Sequence, residues 1–113
     1  MAARTGPGDP PQERFDALVD RLSVERGVTV PGPGGRFGAR ALRVDARIFA
    51  MLVQDRLVVK LPQARVDALV AAGQGVRWDA NKGTPMREWL AVDPAGTQQW
   101  ESLAGEALRF VRR

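Results

Sequence analysis

Residues 36–60, RFGARALRVDARIFAMLVQDRLVVK, form the segment that most constrains the fold of this chain. The segment contains the longest apolar run of the sequence, IFAMLV at residues 48–53, with a short polar stretch on each side of it. Short polar stretches between apolar runs are typical of hairpin turns, which join antiparallel strands. The segment therefore predicts three antiparallel strands joined by two tight turns.

The two turns determine which side chains share a face of the sheet. Asp45-Ala46 is predicted to be a two-residue turn, although glycine would suit the position of Ala46 better. Gln54-Asp55 or Asp55-Arg56 forms the second turn, and both choices give the same facing. Because side chains alternate along a strand, the predicted core face is wholly apolar, with Ile48, Ala50, Leu52, Leu57, Val59 and Leu61.

The second face of the predicted sheet is mixed in character. It carries four apolar residues, Phe49, Met51, Val53 and Val58, and three basic residues, Arg47, Arg56 and Lys60. A two-residue first turn adds Arg40, Leu42 and Val44 to this face, whereas a three-residue turn places Leu42 and Val44 in the core.

Three helices are predicted around the sheet. The first follows Asp9, with two prolines in its opening turn and apolar residues from Phe15 onwards at the i, i+3, i+4, i+7 spacing. The second lies between Pro62 and Gly73, which suit the first turn and the C′ position of a helix. The third begins after Thr97, a fair N-cap residue.

The remaining segments complete the predicted order of elements. Residues 76–78 and 86–92 are predicted to form two more strands, and residues 28–30 can form a short strand after the first helix. The order helix, three strands, helix, two strands, helix predicts an α+β domain, with helices packed on an antiparallel sheet. This single domain is predicted to span residues 10–113, and residues 1–9, rich in glycine and proline, are expected to form a disordered tail.

The composition removes several kinds of chemistry. The chain contains no cysteine, histidine or tyrosine, so disulfides, thiolate nucleophiles and the commonest metal ligand and general base are excluded. The serines have no histidine to activate them, and we expect no enzymatic activity, no cofactor and no metal. The first residues lack the apolar core of a secretory signal, and a six-residue apolar run is far shorter than the ~20 residues of a membrane span. A soluble cytoplasmic protein without membrane contact is expected.

The net charge of +4 is unevenly distributed along the chain. Residues 1–35 carry −1, residues 36–60 carry +4 and residues 61–113 carry +1. The positive charge therefore lies on the three central strands, where it could contact the phosphate groups of a nucleic acid.

Four sequence stretches resemble, in order and spacing, the N-terminal domain of the TfoX/Sxy competence regulators. They are Arg36-Phe37-Gly38, VDARIFA at residues 44–50, RLVVK at residues 56–60 and GTPMREW at residues 83–89. The YjbR/MmcQ-like proteins share this general plan. The resemblance covers about residues 12–111, and the stretch at residues 83–89 is more similar to TfoX than to its relatives.

The resemblance implies an α+β fold of the secretion-chaperone-like type, a role in assisting transcription and no enzymatic activity. The chain departs from the family at two motifs: Met-Phe-Gly-Gly is Arg36-Phe37-Gly38-Ala39 here, and the Asp-Gly turn is Asp45-Ala46. The separate C-terminal domain of the full regulators has no counterpart in these 113 residues.

The second face of the sheet is the candidate functional surface, with two interpretations. In one, Arg40, Arg47, Arg56 and Lys60 contact phosphates and Phe49 stacks on an unpaired base, which would give weakly specific nucleic-acid binding. In the other, which we favour, the apolar residues of this face are covered, because continuous apolar patches are rarely left bare on a monomer.

A covering element would be another helix, a second copy of the chain or a protein partner. The interface residues predicted for this case are Phe49, Met51, Val53 and Val58, with Arg87 and Trp89 at the edge of a partner groove. A small-molecule site between the sheet and its helices is a further alternative. The sequence thus predicts a protein-interaction or transcription-associated module, with a homodimer as one form.

Overall fold

The computed structural model describes residues 10–29, 40–78, 87–93 and 99–112. These residues form three helices and a six-stranded antiparallel sheet, which confirms the predicted α+β class. The elements in chain order are α1 (Pro11–Leu22), β1 (Val28–Thr29), β2 (Arg40–Val44), β3 (Arg47–Val53), β4 (Arg56–Lys60), α2 (Gln63–Ala71), β5 (Gly75–Arg77), β6 (Trp89–Val92) and α3 (Trp100–Val111). The strands lie in the order β1-β2-β3-β4-β6-β5. The predicted tail at residues 1–9, the Asp9 and Thr97 caps and residue 86 lie outside the described residues. The strand predicted at 86–92 begins later than predicted, because Arg87 and Glu88 form a turn and β6 starts at Trp89.

Both central hairpins have two-residue turns. The first turn is Asp45-Ala46, with φ angles of 51° and 67°, and the second is Gln54-Asp55, with φ angles of 50° and 64°. Positive φ at both turn residues is the requirement of the type I′ turn, whose twist matches that of the flanking strands. The predicted two-residue turns are confirmed, and the second turn takes the first of the two positions considered.

A β-bulge in β3 changes the facing that strict alternation predicts. Leu42 lies opposite Ala50 and Arg43 lies opposite Ile48, so Phe49 has no partner residue on β2. An extra residue in one strand reverses the facing of every residue on one side of it, because side chains alternate with a period of two. As a result, the residues of β2 and residues 47–49 of β3 lie on the face opposite to the one that strict alternation predicts.

The bulge explains why several residues near the first turn lie on the face opposite to the predicted one. Phe49 was expected on the second face, but it is 0% exposed and belongs to the main core beside Ala50. Ile48 was expected in the core, but it packs against the small apolar cluster on the other side of the sheet. Leu42 and Val44 are both fully buried in the main core although the first turn has two residues.

All three helices pack on one side of the sheet. Their buried apolar residues, such as Phe15 of α1, Val66 of α2 and Leu103 of α3, all belong to the main core. The guanidinium carbon of the buried Arg14 lies 4.0 Å from the centre of the Trp100 ring and joins α1 to α3. Within the described part of the chain, no helix combines the length and the apolar character needed to cross a membrane.

Helix α2 ends at Gly73, the glycine that the sequence predicts for this position. Gly73 has a φ of 75°. Its N–H donates to the carbonyl of Val70 at 3.1 Å, and the N–H of Gln74 donates to the carbonyl of Leu69 at 2.9 Å. This pair of bonds is the Schellman motif, in which a left-handed glycine ends the helix. The prediction that Gly73 is the C′ residue is confirmed, and β5 follows immediately.

Candidate interaction surface

The side of the sheet opposite the helices carries a second, smaller apolar cluster. Its centre consists of Met51, Val58 and Ala91, which are at most 8% exposed, and the half-buried residues around it are Ala41, Ile48, Val53, Trp78 and Trp89. None of the helices of the described residues contributes to this cluster. We call this side the helix-free face. The centre of the cluster comes from three neighbouring strands: Met51 of β3 lies opposite Val58 of β4, which lies opposite Ala91 of β6.

Two tryptophans form the aromatic edge of the helix-free face. The rings of Trp78 and Trp89 are 5.8 Å apart and inclined at 63°, an edge-to-face arrangement that the ring quadrupoles favour. The backbone N–H of Trp78 donates to the carbonyl of Trp89 at 3.0 Å, which holds the two residues side by side. The Nζ atom of Lys60 lies 5.8 Å from the centre of the Trp89 ring. Aromatic and cationic groups therefore meet at this edge.

A cleft of about 230 Å³ opens on the helix-free face between the end of the β3–β4 hairpin and β5. Its apolar lining residues are Val53, Val58, Val76, Trp78 and Ala91, and its polar ones are Gln54, Arg56 and Arg77. Sites for whole small-molecule ligands have volumes of roughly 300–1,000 Å³. The cleft is therefore better suited to one large apolar side chain than to a whole cofactor.

Several basic residues of the helical side are paired with carboxylates. The closest pair joins α2 to α3: Arg65 donates to both carboxylate oxygens of Glu106, at 2.9 and 3.1 Å. These hydrogen bonds raise the pKa of Arg65 above its ordinary value, with a further contribution from the charge of Glu106. Three similar pairs are Arg21–Glu101, Arg77–Asp67 and Arg112–Glu25.

The basic residues around the helix-free face are not paired in this way. Arg43, Arg56 and Lys60 lie on this face, opposite Ile48, Val53 and Trp89 respectively. Arg87 is exposed and lines a groove of about 510 Å³ with Lys60 and Trp89. Within the described residues, none of these four cations forms an ion pair. Glu88 lines the same groove as Lys60 and Arg87, but none of the ion pairs among the described residues involves it.

The structure does not bring the predicted nucleic-acid site together. Phe49 is buried beneath the helices and offers no ring to a base. Arg47 lies opposite the core residue Val44, and directly paired residues share a face of the sheet, so Arg47 lies on the helical side. The backbone of Arg40 lies opposite Leu52, a residue of the main core. Of the five residues predicted for this site, the structure places only Arg56 and Lys60 together on the helix-free face.

Most of the predicted interface residues do lie together on the helix-free face or beside it. Met51, Val53, Val58 and Trp89 all belong to the cluster of the helix-free face, and Arg87 lies beside Trp89 in the adjoining groove. Phe49 is the exception, for the reason given by the bulge. Sequence reasoning missed Arg43 and Ala91 at this face. The signal that could have found Arg43 is its place between the apolar residues Leu42 and Val44: if these two face the core, Arg43 faces the opposite side.

The described residues hold no group of three or more carboxylates that could bind a metal ion. In the comparisons with known proteins, no family model matches the chain, and neither a curated protein nor a solved structure matches it.

Proposed function

We propose that this chain is a non-enzymatic protein-interaction module and that the helix-free face is its docking surface. The observation that carries the proposal is the apolar cluster of Met51, Val58 and Ala91 on the side of the sheet without helices. A second apolar cluster is not needed to hold the helices, because all three pack on the main core. Its central methionine and the tryptophans and arginines beside it are residue types enriched where proteins meet.

The role of the module is part of the same proposal. The resemblance of residues 12–111 to the TfoX N-terminal domain supports a transcription-associated function, in which the chain acts by binding another protein. The same resemblance supports a secretion-chaperone-like arrangement within the α+β class.

A partner protein suits the helix-free face better than a second copy of the chain. A twofold dimer uses the same patch on both subunits. Pairing this face with itself would bring Arg43, Arg56 and Lys60 of both copies into one interface. Like charges that meet in an interface oppose association. We therefore expect light scattering after size exclusion to give the mass of a monomer at low and high salt.

Photo-crosslinking in cells tests the docking surface. A photoreactive phenylalanine analogue is placed at Val53 on the helix-free face, or at Val19, an equally half-buried position of α1 on the helical side. We expect a discrete protein adduct from position 53 and none from position 19. We also expect Met51→Glu, introduced into the same chain, to abolish the adduct without changing the far-ultraviolet circular dichroism spectrum.

Two results would contradict the proposal. Adducts formed from position 19 alone, or adducts from position 53 that survive Met51→Glu, would place the docking surface elsewhere. A dimer that Val53→Glu dissociates and Val19→Glu leaves intact would keep the helix-free face as an interface, with a second copy as its occupant.

A further inference from the structure

We propose that the partner segment bound by the helix-free face is acidic and carries one large apolar side chain, which occupies the cleft between Val58 and Trp78. This inference rests on the proposed function and adds the chemical class of the partner. It follows from two independent observations, the distribution of unpaired charge and the size of the cleft.

Charge complementarity identifies the acidic character. The helical side neutralises several of its cations within the chain, for example Arg65 with Glu106. Around the helix-free face, Arg43, Arg56, Lys60 and Arg87 have no such carboxylate among the described residues. A carboxylate on a partner would form a charge-assisted hydrogen bond with each arginine, and the guanidinium fork suits that geometry.

The cleft identifies the apolar anchor. Its volume is about 230 Å³, and the apolar part of its lining runs from Val53 and Val58 to Trp78, beside the polar side chains of Gln54, Arg56 and Arg77. A single large aliphatic or aromatic side chain is the kind of group that enters such a pocket at the centre of an interface. Because Arg56 itself lines the cleft, an acidic residue next to the anchor would reach it.

The spacing of the cations along β4 predicts the spacing of the acidic groups. Arg56 and Lys60 lie on the same face and are four residues apart, which corresponds to about 13 Å of extended strand. An extended partner segment that runs along this strand would place one acidic residue near each cation and the apolar anchor between them. The expected pattern is acidic residues about four positions apart with a large apolar residue in between.

A nucleic acid fits the same face less well. Binding of single strands uses a charged groove together with aromatic rings on which bases stack flat. Here Phe49 is buried, Trp78 and Trp89 contact each other edge to face, and the centre of the face is aliphatic. An aliphatic centre contributes to the binding of a protein side chain and not to that of a phosphate backbone.

Selection of peptides on the purified full chain tests this inference. The probe is a displayed library of random peptides about twelve residues long, which is enough extended chain to cross the sheet. Enriched peptides are then measured against the original chain and against Arg56→Glu, with Lys60→Glu as a second variant. Arg109→Glu, an exposed position of α3 with the same change in net charge, is the matched control. All variants are first compared by circular dichroism.

Support for the inference requires a specific pattern. The enriched peptides should combine acidic residues with a large apolar residue, and their affinity should fall at least tenfold with Arg56→Glu or Lys60→Glu. Arg109→Glu should leave the affinity within about twofold, because its charge lies outside the docking surface and is screened by salt.

Other results would overturn the inference in distinguishable ways. Neutral or basic peptides that lose affinity with Trp78→Ala but not with Arg56→Glu would keep the docking surface and refute the acidic partner. Failure to enrich any peptide that depends on the helix-free face refutes the peptide inference, and the photo-crosslinking experiment then decides the proposed function separately. A mixed-sequence oligonucleotide that binds, is released steeply by salt and is lost with Arg56→Glu would assign the face to nucleic acid.

Discussion

Replacing Phe49 by alanine should destabilise the fold far more than replacing its neighbour Ile48. The β-bulge turns the ring of Phe49 into the main core, where it is 0% exposed, and leaves Ile48 half-buried on the helix-free face. Without the bulge the two residues would exchange faces. A comparison of the two alanine variants therefore measures the register of β3 in solution.

The expected magnitudes follow from burial. Truncation of a fully buried phenylalanine to alanine costs about 3–5 kcal/mol, because apolar contacts are lost and a cavity remains. Truncation of a fully buried isoleucine to alanine costs about 2–5 kcal/mol, and we expect about half of that cost, about 1–2.5 kcal/mol, for the half-buried Ile48. Phe49→Ala should therefore lower the free energy of unfolding by about 2–3 kcal/mol more than Ile48→Ala.

Urea denaturation followed by far-ultraviolet circular dichroism measures this difference. With an m value of about 1.5 kcal/mol per molar urea, a loss of about 3 kcal/mol lowers the midpoint by about 2 M, a large and readily measured shift. A Phe49→Leu variant, which keeps most of the buried volume, serves as an intermediate that stays folded if the alanine variant does not. An Ile48→Ala variant that is as unstable as Phe49→Ala, or less stable, would refute the bulge and the assignment of faces that depends on it.

Three further predictions concern backbone geometry, and urea denaturation checks each of them. Ala46→Gly should raise the free energy of unfolding by about 1 kcal/mol, because Ala46 holds a φ of 67° that an L side chain disfavours. The same change at the exposed helical residue Ala68 should lower it by about 1 kcal/mol, and equal effects at both sites would contradict the turn geometry. Gly75→Ala should lower the free energy of unfolding by about 1–3 kcal/mol, because the new Cβ would lie 2.5 Å from the carbonyl oxygen of Ala91. Unchanged stability would contradict this close approach. Gly105→Ala in α3 should raise the free energy of unfolding by about 1 kcal/mol, since a Cβ at this position meets nothing closer than 3.5 Å. A loss of stability would show that another element covers this side of α3.

Local signals predicted the elements and their ends well. The two hairpin turns, the stripe of α1 and the glycine at the end of α2 each depend on a few neighbouring residues, and the structure confirms them. Turn chemistry and helix capping act over four or five residues. Information on that scale is present in a single sequence without any knowledge of the rest of the fold.

The bulge at Phe49 was not predictable from the same kind of signal. Residues 48–53 are all apolar, so either facing of the strand places apolar side chains on both sides of the sheet. The facing of β2 was the informative observation, because Leu42 and Val44 suit a core and Arg43 suits a surface. Keeping a two-residue turn while burying Leu42 requires one extra residue in β3, and only tertiary packing selects where it lies.

The candidate site was predicted in part for the same reason. Met51, Val53 and Val58 follow the bulge along the hairpin and keep their predicted face. Phe49 and Arg47 lie at or before it and change sides. The pairing of cations is a further property that sequence cannot supply, because it joins residues far apart in the chain, such as Arg65 and Glu106.

The placement of the three tryptophans gives each side of the sheet its own optical reporter. The chain has no tyrosine, so these indoles dominate its intrinsic fluorescence. Trp100 is 4% exposed in the core beneath Arg14, whereas Trp78 and Trp89 lie in contact on the helix-free face, close enough to transfer excitation between them. Occupancy of that face would alter the emission of the pair and leave Trp100 unchanged, while unfolding would alter all three. Binding and folding can thus be followed separately in one unlabelled sample.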